Sequence, residues 1–160
     1  MSKIRDRVAE GLYRELQGAI DQLWDSPEFA TMESEIERAM AAYFLFGSRL
    51  HDRLSFRLGY PEEPFSGYFI VPQYEIGRYR VDFLFGSGKA PDVSQCVAIE
   101  CDGFEFHDRT PEQAARDKAR DRELNQHVKA VVRFTGREIY RDAGACWLDA
   151  LKILMREHAQ

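Results

Sequence analysis

The chain lacks long apolar runs. Its longest one, Ala39–Phe46, is far shorter than the roughly 20 residues that a membrane-spanning helix needs. The N-terminal sequence MSKIRDR is not followed by the apolar core of a secretory signal. We therefore expect a cytoplasmic protein with no membrane partner.

Cysteine is scarce. Cys96, Cys101 and Cys146 are the three cysteines, and they show neither an even count nor Cys-x-x-Cys spacing. A disulfide framework and a zinc site both need such patterns, so the sequence argues against both. We expect buried thiols.

The chain also lacks an excess of basic residues. Its formal charge is −5, which does not favour a nucleic-acid partner, because affinity for the backbone depends on neutralised phosphates. The basic residues are clustered, however, in Arg109–Arg122 and again at Arg133, Arg137 and Arg141. A basic face can therefore coexist with a negative total.

The composition predicts one soluble globular domain over residues 1–160, with 44% hydrophobic and 31% charged residues. We divide it into a helical extension (1–33), a core (34–142) and a C-terminal helix (143–160). The apolar stripe Ile4–Leu23 has helical spacing. This stripe either packs on its own domain or forms the seam of a homodimer.

Four segments have the pattern of strands: Tyr68–Ile76, Tyr79–Phe85, Cys96–Cys101 and Lys129–Phe134. The first two are joined by Gly77 and predict a hairpin. The segment between the last two predicts a crossover helix, which makes that pair parallel. We therefore predict an α/β fold, with a mixed sheet of about four strands flanked by helices on both faces.

The helices have clear start signals. Ser26-Pro27 opens a second helix that ends near Gly47 or continues, bent, to Leu58. Thr110-Pro111-Glu112-Gln113 is a capping box for a charged helix running to about His127, and Asp142 caps the last helix. The apolar positions of these helices are Phe29, Met32, Ile36, Met40 and Phe44 in the second, Ala115, Ala119 and Leu124 in the charged one, and Trp147, Leu148, Leu151 and Leu154 in the last.

Three carboxylates fall in one small area of this predicted sheet. Period two places Glu100 and Asp102 on one strand face, with no basic residue between them, and Asp82 lies on the neighbouring apolar run. Such a cluster favours a hard cation such as Mg²⁺ or Mn²⁺, and hence phosphoryl-transfer chemistry. Alternatively, Glu100 or Asp82 pairs with Arg80 or Arg133, and Asp102-Gly103 merely forms the turn that ends the strand.

Four segments in this order resemble a known family: Tyr79–Phe83, Ile99–Gly103 followed by His107, Asp117-x-x-Arg120-Asp121, and Val132–Thr135. Over about Ser34 to Asp142 the chain is similar to small restriction-endonuclease-like proteins of the PD-(D/E)XK superfamily related to the very-short-patch mismatch repair endonuclease. The resemblance implies a mixed sheet flanked by helices, and carboxylates at strand ends that hold Mg²⁺ for cutting DNA.

Carried onto this sequence, the resemblance makes Asp82 and Glu100 metal ligands and adds Glu37 directly or through water. The superfamily's usual lysine is replaced here by Asp102, so His107 becomes the candidate general base or water-positioning group. Lys118 is a second candidate. Candidate DNA-binding residues, each of which is equally explained as an ion-pair partner, are Arg116, Lys118, Arg120 and Arg133.

These observations predict a Mg²⁺-dependent endonuclease that hydrolyses phosphodiester bonds of DNA. A second class of function is the same fold without cleavage, serving as a DNA-binding or protein-interaction module, which the missing lysine favours. A third is a small-molecule phosphohydrolase using the same ions. The sequence does not identify the strandedness or sequence of a nucleic-acid substrate.

Overall fold

The structure is a computed structural model that describes residues 17–47, 56–88, 92–103 and 110–156. Its strands are β1 (Phe56–Leu58), β2 (Tyr68–Ile76), β3 (Tyr79–Ser87), β4 (Val97–Asp102) and β5 (Ala130–Thr135). Its helices are α1 (described over 17–24), α2 (Pro27–Ala30), α3 (Glu35–Gly47), α4 (Pro111–Leu124) and α5 (Gly136–Met155), and a short 3-10 helix covers Val93–Gln95. In the described ranges, no helix is both long enough and apolar enough to cross a membrane.

The strands form one mixed sheet in the order β1-β2-β3-β4-β5. The hairpin of β2 and β3 is antiparallel and turns at Gly77, whose φ of 60° is the left-handed conformation that favours glycine. The pair β3–β4 is antiparallel, and β4–β5 is parallel across the α4 crossover. These pairings confirm the predicted α/β class. The prediction of about four strands missed β1, which is short and pairs in parallel with β2.

The second helix is not continuous as predicted. Ser26 does cap a helix with proline in its first turn, but that helix, α2, ends at Ala30. A new helix, α3, begins at Glu35 and ends at Gly47, and Ser34 Oγ accepts a hydrogen bond from the Glu37 N–H at its start. The apolar spacing continues from Met32 to Ile36 across this break, so two helices share the predicted stripe.

The remaining helix starts are largely as predicted. Thr110 and Gln113 form the capping box of α4. The helix α5 begins earlier than predicted, because Thr135 and Glu138 form a second capping box. Its non-helical Asp142 accepts a hydrogen bond from the Ala145 N–H at 2.9 Å, so the predicted cap exists inside a kinked helix.

The two sheet faces carry different cores. On one face, α3 and α5 cover the larger apolar cluster, which includes Met40, Phe44, Phe83, Phe85, Ile99 and Trp147. On the other, the smaller cluster includes Phe69, Val81, Leu84, Ala98, Leu124 and Val128. Ala115 and Ala119, predicted to pack, are exposed on α4, and of that stripe Leu124 alone is buried. Cys96 and Cys146 are buried free thiols, and Cys101 is half-buried.

Candidate active site

The pairing of β2 with β3 is interrupted at one position of the hairpin. Pairing of β2 with β3 runs to Pro72–Phe83 and resumes at Tyr74–Val81, which leaves Gln73 and Asp82 facing each other at a break. Gln73 has a φ of 52°, and its neighbour Pro72 has no N–H to donate. Val71 and Tyr74 lie on either side of the break. Both pack against the smaller apolar cluster, although they are three residues apart. The break therefore shifts the side-chain alternation by one residue.

Asp82 also lies where β3 and β4 separate. The last paired positions of those strands are Phe83 and Ile99, so Asp82 and Glu100 occupy the next positions across from each other. The Cys101 N–H donates to Asp82 Oδ2 at 2.6 Å, where an unbroken ladder would supply a backbone carbonyl. The Asp82 carboxylate thus lies between the two separating strands, and the hydrogen bond from the Cys101 N–H fixes its orientation.

Glu100 is buried, with 6% of its surface exposed. Its Oε1 accepts a hydrogen bond from Arg120 Nη2 at 2.6 Å, and the same guanidinium donates to the Arg80 carbonyl at 2.7 Å. The Arg120 guanidinium also lies 5.7 Å from the centre of the Tyr79 ring. Arg120 of α4 is therefore held against the sheet by contacts with β3 and β4.

Asp102 has a basic partner too. Arg133 Nη1 lies 3.3 Å from Asp102 Oδ1, and Arg133 Nη2 lies 2.8 Å from Asp121 Oδ1 on α4. Glu100 and Asp102 share the face that α4 covers, as the period-two pattern predicts. Ion pairing of the acids is also present, but with other partners than the alternative reading gave: Glu100 pairs with Arg120, and Arg80 pairs with Glu33. Arg133 pairs with Asp102 and Asp121 rather than with Asp82 or Glu100.

Glu37 approaches from α3 and is 4% exposed. Ser34 Oγ donates to its Oε1 at 2.7 Å, while Gln73 Nε2 at 2.7 Å and the Glu33 N–H at 3.1 Å donate to its Oε2. Burial is the main cause that raises the pKa of Asp82, and the negative charge of Glu37 adds to it. Three neutral donors therefore stabilise a buried carboxylate without cancelling its charge.

The strand carboxylates have pKa values shifted toward neutrality. Burial is the main cause and raises the pKa of Asp82 to about 6, although the Cys101 N–H acts in the opposite direction. Burial also raises the pKa of Glu100 to about 7, with Arg120 opposing it and the Asp82 charge adding to it. The charged forms of these acids are thus under-compensated, which is the condition under which a cation is attracted.

The carboxylates of this site meet some, but not all, of the requirements for binding a hard cation. No group of three or more histidine, cysteine or acidic side chains within the described ranges is arranged to hold a metal ion. Mg²⁺ needs only one or two protein carboxylates, because water and substrate phosphate fill the other positions. The hydrogen bonds among the described residues use one oxygen each of Asp82 and Glu100, and leave Asp82 Oδ1 and Glu100 Oε2 to serve as ligands.

The other predicted site residues have different positions. His107 lies outside the described residues. Arg116 and Lys118 are exposed on α4, whereas Arg120 and Arg133 are half-buried and hold acids. Sequence patterns missed Gln73 and Ser34. A Ser-x-x-Glu pattern at 34–37 could have indicated Ser34, but no local pattern distinguishes Gln73 from other strand residues.

Comparison with known proteins gives one finding. Residues 64–153 match the sequence model of REase_MTES_1575, a restriction-endonuclease-like family. No curated protein and no solved structure matches the chain. The matched range contains β2 to β5, Asp82, Glu100 and most of α5, and it covers more than half of the 160 residues. The chain belongs to the restriction-endonuclease-like family REase_MTES_1575.

Proposed function

We propose that the protein is a divalent-metal-dependent endonuclease that hydrolyses phosphodiester bonds of DNA. The observation that carries the proposal is the juxtaposition of half-buried Asp82 and buried Glu100, two carboxylates with raised pKa values at the point where β3 and β4 separate. Membership of a restriction-endonuclease-like family supports a nuclease-type function for such a pair.

Asp82 and Glu100 would hold Mg²⁺, or Mn²⁺ in its place, and Glu37 would contribute directly or through water. When bound, this ion would polarise a phosphoryl oxygen and make the attacking water more acidic. The chain's own groups orient the ligands: the Cys101 N–H fixes Asp82, and Arg120 fixes Glu100. Because these contacts exist before any ligand arrives, little reorganisation is needed on binding.

The missing lysine requires another group to position water. His107 is our candidate general base, since a neutral imidazole accepts a proton near physiological pH. Asp102 is the candidate to orient that group or to bind a further cation, and its pairing with Arg133 supports a fixed orientation. A His107 role would also support the finer relationship to very-short-patch repair endonucleases, which rests on the resemblance of four segments: Tyr79–Phe83, Ile99–Gly103, Asp117-x-x-Arg120-Asp121 and Val132–Thr135.

DNA would approach along α4. Arg116 and Lys118 are exposed there and supply charge for phosphate contacts that position the backbone without reading sequence. Arg120 and Arg133 could add contacts only by exchanging an acidic partner for a phosphate. A homodimer formed through the Ile4–Leu23 stripe would place two sites on one duplex, and a monomer at micromolar concentration would contradict it.

The test is cleavage of supercoiled plasmid and of single-stranded DNA in Mg²⁺ or Mn²⁺. Asp82→Asn and Glu100→Gln keep side-chain shape and remove the charge that a cation needs. We expect each to lose at least about 100-fold in rate, as removal of a group stabilising transition-state charge does. Glu123→Gln is the matched control, because Glu123 forms an exposed ion pair with Arg78.

Equal cutting by all variants would contradict the proposal. Hydrolysis of a nucleotide ester without any cutting of DNA would instead favour a small-molecule phosphohydrolase. His107→Ala tests the base: we expect a loss of cleavage with metal binding retained, and unchanged cleavage would exclude His107 from that role.

A second candidate function is a non-catalytic nuclease-fold module that binds DNA or protein. One observation favours it: Glu100 and Asp102 each form an ion pair with an arginine of the chain, Arg120 and Arg133. Such a module gains no thermal stability from Mg²⁺ or Mn²⁺, whereas a metal site does, by the mass action of ligand binding to the folded state.

A further inference from the structure

Gln73 has an unusual backbone for its position. Among the described residues it is the one non-glycine residue with a positive φ, 52°, and it lies inside β2 rather than in a turn. A residue with a Cβ seldom adopts this conformation, because the side chain crowds the backbone. Strain of this kind persists where the surrounding structure demands it, and it is concentrated at functional sites.

The kink at Gln73 has a specific result. Regular alternation would place residue 73 on the sheet face of Phe69 and Val71, which belong to the smaller cluster next to α4. Instead, Gln73 Nε2 lies 2.7 Å from Glu37 Oε2 on α3, whose neighbours Ile36 and Met40 belong to the opposite cluster. The unusual backbone therefore directs this amide toward Glu37.

Gln73 differs from the other donors to Glu37. Ser34 Oγ and the Glu33 N–H belong to the start of α3 itself, so they fix the carboxylate relative to its own helix. Gln73 alone among the described donors comes from the sheet, and it comes from the position facing Asp82. This one hydrogen bond ties the Glu37 carboxylate to the strand level of Asp82.

The chemistry of the donor matters as well. A lysine or arginine at position 73 would neutralise Glu37, whereas an amide satisfies one carboxylate oxygen and leaves the full negative charge. A carboxylate held by neutral donors still attracts a cation. This arrangement suits an acid that has to serve a metal site from a second element.

We propose that Gln73 is a positioning residue that fixes the Glu37 carboxylate at the strand level of Asp82, so that Glu37 supports the cation site of Asp82 and Glu100 from α3 through water. The inference rests on the proposed metal-dependent function. It adds to the site a residue that is not one of the strand acids. It also gives a functional reason for the backbone break in β2.

Gln73→Gly is the decisive variant. Glycine adopts a φ of 52° without steric cost, so the backbone break survives and the donor is lost. We expect an affinity for Mn²⁺, measured by calorimetric titration, that is about 10-fold weaker or worse, the range found when groups that orient metal ligands are removed. The rise in melting temperature that Mn²⁺ gives the wild type should be smaller in this variant, which a purely structural role would not give.

A double-mutant cycle separates this role from a general effect. In a Glu37→Gln background, Gln73→Gly should cause no further loss of Mn²⁺ affinity, because its target is gone. Gln126→Gly, in the exposed turn after α4, is the matched control and should bind as the wild type does. Gln73→Asn retains an amide and tolerates the same φ, so it provides a folded variant with a shortened donor if the glycine variant does not fold.

Each outcome has a distinct meaning. Wild-type affinity in both Gln73→Gly and Gln73→Asn, or equal losses from Gln73→Gly with and without Glu37, would overturn the role of Gln73 while leaving the metal site in place. Absence of Mn²⁺ binding in the wild type would overturn the metal site itself, and the role of Gln73 with it.

Discussion

The two faces of the sheet are built on different principles. The face under α3 and α5 is apolar and aromatic: Phe44, Phe85 and Trp147 have ring centres 4.5 to 5.5 Å apart, and the Trp147 indole N–H donates to the Met40 carbonyl. The face under α4 has a smaller apolar core and, beside it, the ion pairs of Arg120 with Glu100 and of Arg133 with Asp121. The first face stabilises the fold by burying apolar surface. The second face buries less apolar surface and holds charged groups instead.

The difference explains where the site lies. Leu124 anchors the end of α4 in the core, while Arg120 and Asp121 join the helix to Glu100 and Arg133. Contacts that place α4 on the sheet are therefore the same contacts that compensate the site acids. A change in the charge of Glu100 should consequently alter the docking of α4 and leave α3 and α5 in place.

The largest effect should come from the apolar face. Phe85→Ala empties a fully buried ring site and should destabilise the fold by about 3–5 kcal/mol, from lost burial and the remaining cavity. Ala119→Ser on exposed α4 should change stability by less than about 0.5 kcal/mol. Urea unfolding measures both, and similar losses in the two variants would contradict the contrast between the faces.

The next effect is a pH dependence on the charged face. Glu100 has a folded-state pKa of about 7 against an ordinary value of 4.5, so the folded state binds its proton more tightly than the unfolded state does. The stability it contributes is complete below about pH 4.5 and is lost as the pH rises through 7, by up to about 3 kcal/mol. Without metal, the protein should therefore be less stable at pH 8 than at pH 5.

Glu100→Gln isolates this contribution, because glutamine does not titrate. Urea unfolding in the presence of a chelator should give a smaller loss between pH 5 and pH 8 for this variant than for the wild type. Parallel curves would mean that Glu100 is not the titrating group, and a wild type that gains stability over this range would contradict the sign of the effect.

A smaller loss is expected from Arg133→Gln. The change leaves Asp102 and Asp121 without their shared guanidinium in a half-buried position and should cost about 2 kcal/mol, as for hydrogen bonds to charged groups. Lys152→Gln, which removes an exposed pair with Asp149, should cost no more than about 0.5 kcal/mol. Equal effects in thermal melting would show that the Arg133 contacts are no stronger than surface pairs.

The smallest predicted loss concerns the kink of α5. Asp142→Ala removes the acceptor for the Ala145 N–H and should cost about 1 kcal/mol, the usual value of a helix cap. Asp142→Asn keeps an acceptor and should recover most of it. Unchanged melting of the alanine variant would show that this contact does not stabilise the helix.

Local patterns predicted most of the fold. Alternation located β3 and β4, a nearly continuous apolar run located β5, turn residues on either side bounded β2, and capping signals located the starts of α2 and α4, because all of these depend on near neighbours in the chain. The short β1 has three residues, too few for a pattern to emerge. The α2–α3 break was missed because apolar spacing continues across it, from Phe29 to Ile36.

The candidate site was predictable only where strand order determines it. Asp82 and Glu100 were brought together by neighbouring strands, which alternation and a hairpin imply. Arg120 and Gln73 reach Glu100 and Glu37 through tertiary packing and an unusual backbone, neither of which is encoded in local spacing. The ion-pair role of Arg120 was predicted, but its partner Glu100 and the contact of Gln73 with Glu37 emerge from the structure alone.

The most direct test is Mn²⁺ binding at pH 8, followed by electron paramagnetic resonance of the free ion. The account predicts binding by the wild type and by Glu123→Gln, and loss of binding in the double variant Asp82→Asn/Glu100→Gln. A wild type that binds no Mn²⁺, or a double variant that binds as the wild type does, would contradict a metal centre at these two carboxylates.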